Sequence, residues 1–187
     1  MKEDIEKSLD VLYAGGIFLY PTDTVWGLGC DATNEVAVKK IYAAKQRNEQ
    51  VPLLVLVNSI AMLERYVEEV PQVAYDIIEL SEKPITIVFE KGKNLAKNCL
   101  NSDGSIGIRV TNEQFTNQLI TRFKRPIIST SANIHGQPTP SIFNEISIEI
   151  KSAVDYIVKY RQNDVSPTQA SSIIKIKNNS EITIIRK

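Results

Sequence analysis

A single α/β domain is the fold that the sequence predicts for residues 1–187, and three observations support this prediction. Segments with apolar residues at helical spacing alternate with short β-branched runs along almost the whole chain. A length of 187 residues suits one domain with a sizeable core better than two small ones. Hydrophobic residues make up 43% of the chain and charged residues 24%, which is a globular composition and excludes a disordered one.

Helices are predicted where apolar side chains recur at every third or fourth position. Ile5, Leu9 and Leu12 form such a face in the first helix, and the pair Gly15-Gly16 supplies its C-terminal end. The first two predicted helices cover 3–14 and 34–46, the second with its N-cap at Asp31, Thr33 or Asn34. A third covers 59–65 with Ser59 as its N-cap, and a fourth begins near Pro71, with the proline in its first turn. The last two cover the segment from Phe115 to Phe123 and a short segment after Ser141.

Strands are predicted where β-branched and aromatic residues run together between turn residues. The run PLLVLV at 52–57 is apolar throughout, which indicates a strand covered on both faces. A turn at 178–180 joins the last two strands in a hairpin, whereas the Gly-Leu-Gly segment at 27–29 indicates only a tight backbone turn. The predicted strands cover 17–22, 52–57, 85–90, 105–110, 126–130, about 154–160, 171–177 and 181–187.

Charge and residue inventory exclude several classes of function. Lys plus Arg equals Asp plus Glu at 22 each, so no global field recruits nucleic acid or an anionic membrane. Two cysteines and one histidine, His135, exclude a four-ligand Cys/His zinc site and a disulfide framework. No apolar run reaches the length of about 20 residues that a membrane-spanning helix needs, and the N-terminus lacks an apolar signal core. A cytoplasmic protein without a membrane partner is therefore expected, with chemistry based on Lys, Arg, Asp, hydroxyl and backbone groups.

A first polar cluster follows the strand predicted at 17–22. Thr22, Asp23 and Thr24 offer two hydroxyls and a carboxylate beside the aromatic Trp26. Strand ends in α/β sheets are common ligand sites. A polar turn beside a core tryptophan explains the same residues equally well, so both interpretations stay open.

Two further clusters consist of cations and of hydroxyls. Lys45 and Arg47, both expected to be exposed, end a predicted helix, where they either complement the helix dipole or converge on a polyphosphate. Spacing alone favours the interpretation in which the two cations complement the helix dipole.

Residues 129–133 read Ser-Thr-Ser-Ala-Asn and open a long polar loop, 129–141, in which His135 is expected to be a loop residue rather than a base. These side chains suit either phosphate or carboxylate binding, or a capped turn.

Arg109 lies in the middle of an apolar strand, SIGIRV. If it faces inward, its charge needs an anionic partner, because an unpaired buried charge is costly. The partner is either a protein carboxylate or a ligand.

Together, these segments resemble the YrdC/TsaC family of L-threonylcarbamoyladenylate synthases. The matching segments, in order, are YPTDTVWGLGCDA, KQR followed by PLLVLV, PITIVF, GSIGIRV, PIISTSAN, SSIIKI and a terminal Ile-Arg, over roughly 5–187. The resemblance implies the short, single-domain form of the family. Its fold is YrdC/RibB-like, with a twisted, largely mixed sheet and flanking helices around a concave, positively charged cavity.

The resemblance also implies an activity. Family members join L-threonine, bicarbonate and ATP into threonylcarbamoyl-AMP and pyrophosphate, and Mg²⁺ is expected with the ATP. A separate tRNA threonylcarbamoyl transferase complex then transfers the threonylcarbamoyl group to an adenosine of tRNA. Some members bind double-stranded RNA, so RNA or tRNA is a further expected partner.

Site residues follow from the resemblance, position by position, and no protein metal ligand is among them. The resemblance assigns Lys45 and Arg47 as catalytic residues at the ATP phosphates, Ser131, Asn133 and Arg186 to ATP, and Thr22, Arg109, Ser129 and Ser171 to threonine.

The chain departs from the family pattern at several positions, which bear on the threonine pocket. Trp26 replaces a frequent tyrosine, residues 81–84 keep only the last proline of W-P-G-P, Leu56 stands where some members have histidine, and His135 replaces a serine. These departures leave two alternatives: a module that binds double-stranded RNA or tRNA without synthase activity, and a structural subunit of the modification complex. Retention of Lys45, Arg47, Ser131, Asn133 and Arg186 together favours the enzyme.

Overall fold

The computed structural model describes residues 1–49, 51–166 and 169–187, and in them helices and strands alternate as the sequence predicts. The helices are α1 (Lys2–Tyr13), α2 (Glu35–Ala44), α3 (Ile60–Tyr66), α4 (Gln72–Leu80), α5 (Gln114–Phe123) and α6 (Ile148–Ser152), with short 3₁₀ turns at Lys97–Cys99 and Phe143–Glu145. The strands are β1 (Phe18–Tyr20), β2 (Gly27–Gly29), β3 (Leu54–Val57), β4 (Ile85–Phe89), β5 (Ile106–Val110), β6 (Ile127–Ser131), β7 (Tyr156–Ile157), β8 (Ser172–Ile176) and β9 (Ile182–Arg186).

These strands form one mixed sheet in the order β7-β1-β2-β6-β3-β5-β4-β8-β9. The pairs β1/β7, β3/β5 and β4/β8 are parallel, and the other neighbours are antiparallel. The predicted mixed α/β sheet with flanking helices is therefore confirmed. In the described part of the chain, no helix is both long and apolar enough to cross a bilayer.

Strand alternation separates the side chains of the core from those on the cavity face of the sheet. Val55, Ile87 and Ile108 are buried in the hydrophobic core, whose members also include the apolar faces of α1 and α5. Their neighbours Leu54 and Thr86 point to the opposite face and line a cavity. This alternation fixes which side chains of the central strands can reach a ligand.

Several predicted boundaries change in detail. Pro71 is the N-cap of α4 rather than its first helical residue, and the short helix expected after Ser141 is a 3₁₀ turn followed by α6. The segment 129–131 still belongs to β6, so the polar loop begins after it. The cap of α2 is Asn34, whose side-chain oxygen accepts hydrogen bonds from the N–H groups of Val36 and Ala37.

The interpretation of the Gly-Leu-Gly segment as only a tight turn is wrong, because it forms β2 between β1 and β6. Gly29 lies against two aromatic rings of β1: a Cβ atom there would lie 2.7 Å from Tyr20 and 2.9 Å from Phe18. A strand of two glycines around one leucine carries no alternating pattern of side chains. Sequence periodicity therefore could not reveal it.

We expect Gly29→Ala to lower the free energy of unfolding by about 1–3 kcal/mol, the usual cost of overpacking a core. Gly107→Ala is the matched control, because a Cβ atom there would meet side chains at 3.5 Å and beyond, which is ordinary contact. Urea denaturation of both variants gives the comparison. Equal stability of the two variants would contradict the close packing of Gly29.

Candidate active site

A cavity of about 260 Å³ opens on one face of the sheet. A second cavity, of about 570 Å³, adjoins it across Leu54, Thr86 and Ile173. We call the first the inner cavity; its lining consists of Thr24, Val25, Gly27, Arg47, Pro52, Leu54, Thr86, Arg109, Ser129, Thr130, Ser131, Thr139, Ala170, Ser171, Ile173 and Arg186. Residues far apart in the sequence thus form one polar site.

Three arginines reach the inner cavity from separate elements: Arg47 from the end of α2, Arg109 from β5 and Arg186 from β9. Among the residues described, no carboxylate lines it. The Nε atoms of Arg47 and Arg109 are buried and have no hydrogen-bond partner. Because buried donors are almost always paired in proteins, these two atoms are available to an anionic or polar ligand.

The side chains of Lys45 and Arg47, at the C-terminal end of α2, point in different directions. The backbone N–H of Gln46 donates to the carbonyl of Ala43, and the N–H of Arg47 donates to that of Tyr42, which is a Schellman ending. Gln46 adopts the left-handed conformation, with φ of 49°, that this ending requires. The Lys45 side chain is therefore buried outside the lining of the inner cavity, whereas the Arg47 side chain lines the cavity.

Lys45 is buried, with 1% of its surface exposed, so the expectation that it is exposed is wrong. Its Nζ donates to the carbonyls of Ser131 and Asn133, the latter at 2.7 Å, and its own carbonyl accepts from the N–H of His135 at 2.9 Å. Burial, with a smaller contribution from Arg47, lowers the pKa of Lys45 from 10.5 to about 7. Lys45 thus joins the end of α2 to the last residue of β6 and to the loop that follows it.

Arg47 is half-buried at the wall of the inner cavity. Its Nη2 donates to the carbonyl of Pro52 at 2.8 Å, and Nη1 lies 3.5 Å from the Thr130 hydroxyl. Burial lowers the pKa of the guanidinium. The backbone contact orients the group, and Nε is left for a ligand.

Arg109 has its carboxylate partner in Asp23: Nη2 lies 2.8 Å from Oδ1. This resolves the alternative left open by the sequence, although Arg109 also lines the inner cavity. Only 2% of the Arg109 side chain is exposed, and burial lowers its pKa while Asp23 opposes that shift. The Thr111 hydroxyl donates to Oδ2 of Asp23 at 3.3 Å.

Hydroxyl groups complete the inner cavity, and the Asn133 amide lies outside its lining. The Ser171 hydroxyl is 2.8 Å from that of Thr86, and the Ser171 carbonyl accepts from Nε and Nη2 of Arg186 at 3.1 and 2.7 Å. The Asn133 amide donates to the carbonyls of Ile134 and Gln137, and its Oδ1 is buried without a partner.

The sequence model of the Sua5/YciO/YrdC family, described as "Telomere recombination", matches residues 10–187. The chain belongs to this family.

Similar proteins of this family carry a named activity. Threonylcarbamoyl-AMP synthase of Pseudoalteromonas translucida is 33% identical, over 82% of this chain and 84% of its own length. The synthase of Psychromonas ingrahamii is 35% identical, over 71% of each chain. These names favour the enzyme over an RNA-binding module or a structural subunit.

Solved structures of Sua5 share the fold. A double variant of P. abyssi Sua5 superposes with a TM-score of 0.86 and 26% identity, over 97% of this chain and 55% of that one. P. abyssi Sua5 complexed with L-threonine gives a TM-score of 0.81 and 27% identity, over 92% and 50%. This chain therefore spans about half the length of P. abyssi Sua5. E. coli YciO, at 22% identity and a TM-score of 0.85 over 100% and 90%, supports the fold alone.

The residues assigned through the family pattern divide into two groups. Arg47, Arg109, Ser129, Ser131, Ser171 and Arg186 line the inner cavity, while Thr22, Lys45 and Asn133 do not. Thr22 is buried, and its hydroxyl donates to the carbonyl of Val25 at 2.8 Å and accepts from the N–H of Thr24. It shapes the turn that presents Thr24 to the cavity.

Two polar residues of the lining were not predicted from the sequence, Thr86 and Thr139. Thr86 interrupts the otherwise apolar strand ITIVF, and a lone buried hydroxyl there was a usable signal. Thr139 offered no such signal, because it lies in a polar loop.

The departures from the family pattern have distinct places in the fold. Trp26 is buried, with its ring 4.9 Å from that of Phe143, so it packs in the core and does not line the inner cavity. Leu56 is buried on β3 directly beside Arg109 in the strand register. Residues 81–84 line a separate outer cavity of about 260 Å³ that Asp23 also lines. His135 is exposed.

Proposed function

We propose that this chain is a threonylcarbamoyl-AMP synthase, an enzyme that makes threonylcarbamoyl-AMP and pyrophosphate from L-threonine, bicarbonate and ATP. The observation that carries the proposal is the convergence of Arg47, Arg109 and Arg186 on one cavity with two buried, unpaired Nε atoms. The names of the relatives and the threonine complex of P. abyssi Sua5 support the choice of substrates.

The reaction suits a site rich in cations and hydroxyls. The threonine amine and bicarbonate form a carbamate with loss of water; a carbamate oxygen then attacks the α-phosphorus of ATP, and the bond to the departing pyrophosphate breaks. Catalysis of this kind rests on positioning and on stabilising negative charge, and it needs no histidine base. Guanidinium groups bind carboxylate and phosphate oxygens through paired hydrogen bonds.

Roles follow from placement in the site. We assign Arg47, Arg186, Ser131 and Asn133 to ATP, and Arg109, Ser129, Ser171 and Thr22 to threonine, with Thr22 acting through its turn. Lys45 remains essential to the nucleotide half of the site. Because its Nζ already donates hydrogen bonds to the carbonyls of Ser131 and Asn133, Lys45 acts by fixing the position of the segment that carries these two residues.

Magnesium enters this scheme only as part of the substrate. Among the residues described, no group of three or more His, Cys, Asp or Glu side chains could hold a metal ion. Mg²⁺ usually keeps several waters and binds through substrate phosphates. We therefore propose that MgATP is the form that binds.

The proposal extends to the setting of the reaction. Residues 1–187 act as one YrdC-like domain in the cytoplasm, and the product passes to a tRNA threonylcarbamoyl transferase complex. Direct binding of tRNA or double-stranded RNA is not needed for the reaction itself.

Pyrophosphate release from ATP in bicarbonate buffer tests the proposal. We expect release that requires both L-threonine and bicarbonate and that falls when L-serine replaces L-threonine, because serine lacks the methyl group. The control omits bicarbonate from degassed buffer. Release independent of threonine, or no release at all, would refute the synthase, and binding of double-stranded RNA would then be the next activity to measure.

A further inference from the structure

We propose that Asp23 is a positioning residue that fixes the guanidinium of Arg109 for the carboxylate of the amino-acid substrate. The inference rests on the proposed function and adds to it a residue to which the resemblance assigns no role. It is carried by the geometry of Asp23, Arg109 and Thr111.

Asp23 is held on two sides. Its Oδ1 forms an ion pair with Nη2 of Arg109 at 2.8 Å, without hydrogen-bond geometry, and its Oδ2 accepts a hydrogen bond from the Thr111 hydroxyl at 3.3 Å. Thr111 is fully buried and its N–H donates to the carbonyl of Val57, so it is fixed to the central sheet. The carboxylate therefore has little freedom to rotate away from Arg109.

The guanidinium stands between two cavities. Asp23 lines the outer cavity and not the inner one, whereas Arg109 lines the inner cavity. Asp23 thus binds Arg109 from the outer side. A guanidinium is planar and carries five N–H donors in a fixed fork, so the ion pair at Nη2, together with the buried stem of the side chain, limits the orientations open to the whole group. The unpaired Nε is left as the donor for a second carboxylate.

The arrangement explains how a buried arginine can be paired and still bind an anion. Without Asp23, a 2% exposed guanidinium would be an uncompensated charge and would reorient or lose stability. If Asp23 and Arg109 were the only charged groups here, their charges would cancel. Arg47 and Arg186 on the same cavity keep its net charge positive, so a substrate carboxylate is still attracted.

Asp23→Asn tests the inference through binding of two ligands, measured by isothermal titration with L-threonine and, separately, with ATP. We expect the Kd for L-threonine to rise at least about tenfold, the size of effect typical when a charged partner is lost. The Kd for ATP should change less than about threefold, since Arg47 and Arg186 keep their partners. A merely structural defect would weaken both ligands together.

Glu82→Gln is the matched control, because Glu82 lines the same outer cavity and undergoes the same change from carboxylate to amide. It should leave both Kd values unchanged. If Asp23→Asn does not fold, Asp23→Glu keeps the charge and displaces it by one methylene, and the same selective loss of threonine affinity is expected.

The outcomes separate the two proposals. If the wild type binds threonine and releases pyrophosphate while the Asp23 variant binds threonine normally, or weakens both ligands equally, only the positioning role is refuted. If the wild type binds no threonine, the proposed function fails and this inference fails with it.

Discussion

Arg47→Met is expected to lower kcat/KM for ATP by at least about 100-fold, the loss typical when one preorganised donor to a developing charge is removed. Met keeps an unbranched stem that reaches about as far as the Nε position of arginine, so the variant removes the guanidinium and leaves most of the stem in place. What is lost is the guanidinium, including a buried Nε that has no hydrogen-bond partner. Steady-state pyrophosphate release at varied ATP and saturating threonine gives the value.

Arg122→Met is the control for this experiment, since Arg122 is an exposed arginine in the last turn of α5. It should retain wild-type kinetics. Circular dichroism and thermal unfolding of Arg47→Met should match the wild type, because Arg47 is only half-buried. Full activity in Arg47→Met would refute its assignment to the phosphates.

Lys45→Met is expected to reduce activity through a different route. Met cannot donate a hydrogen bond, so the carbonyls of Ser131 and Asn133 lose the donor that joins them to α2. We expect kcat/KM for ATP to fall at least about tenfold, as for other buried groups that orient a site. Faster amide hydrogen exchange over 131–135 should accompany the loss. Unchanged exchange there would contradict this role.

The same variant should change how stability depends on pH. The pKa of Lys45 is about 7 in the folded chain and 10.5 ordinarily. Between these values the unfolded chain binds more protons than the folded one, so raising the pH favours folding. The free energy of unfolding of the wild type, minus that of Lys45→Met, should therefore increase from pH 7 to pH 9.5.

Urea denaturation across that pH range measures the difference, and taking the difference cancels the titration of other groups. Lys39→Met is the matched control, because Lys39 is an exposed lysine on the same helix. A constant difference for Lys45→Met would mean that its pKa is not lowered.

The sequence predicts most of the fold because apolar periodicity determines most of the elements. It fails at β2, where two glycines leave no pattern and where the reason for Gly29 lies in the rings of Phe18 and Tyr20. It also misjudges Lys45, since lysines are rarely buried and the carbonyls that hold this one come from a distant segment.

The site could be predicted only in part, because contacts between distant segments decide which of its groups meet. Motif order identified the three arginines of the inner cavity, but pattern alone left the partner of Arg109 undecided between a protein carboxylate and a ligand. The structure brings Asp23 to one side of the group and the cavity to the other. Which of two polar neighbours contacts a side chain depends on how distant loops pack against the sheet. Local sequence does not encode this.

The most direct test of the proposed synthase is detection of its product. The chain is incubated with ATP, Mg²⁺, L-threonine and ¹³C-labelled bicarbonate, and the mixture is analysed by mass spectrometry. The proposal predicts threonylcarbamoyl-AMP carrying one ¹³C atom, together with an equal amount of pyrophosphate. Pyrophosphate without a labelled adenylate, or AMP formed with neither threonine nor label attached, would contradict it.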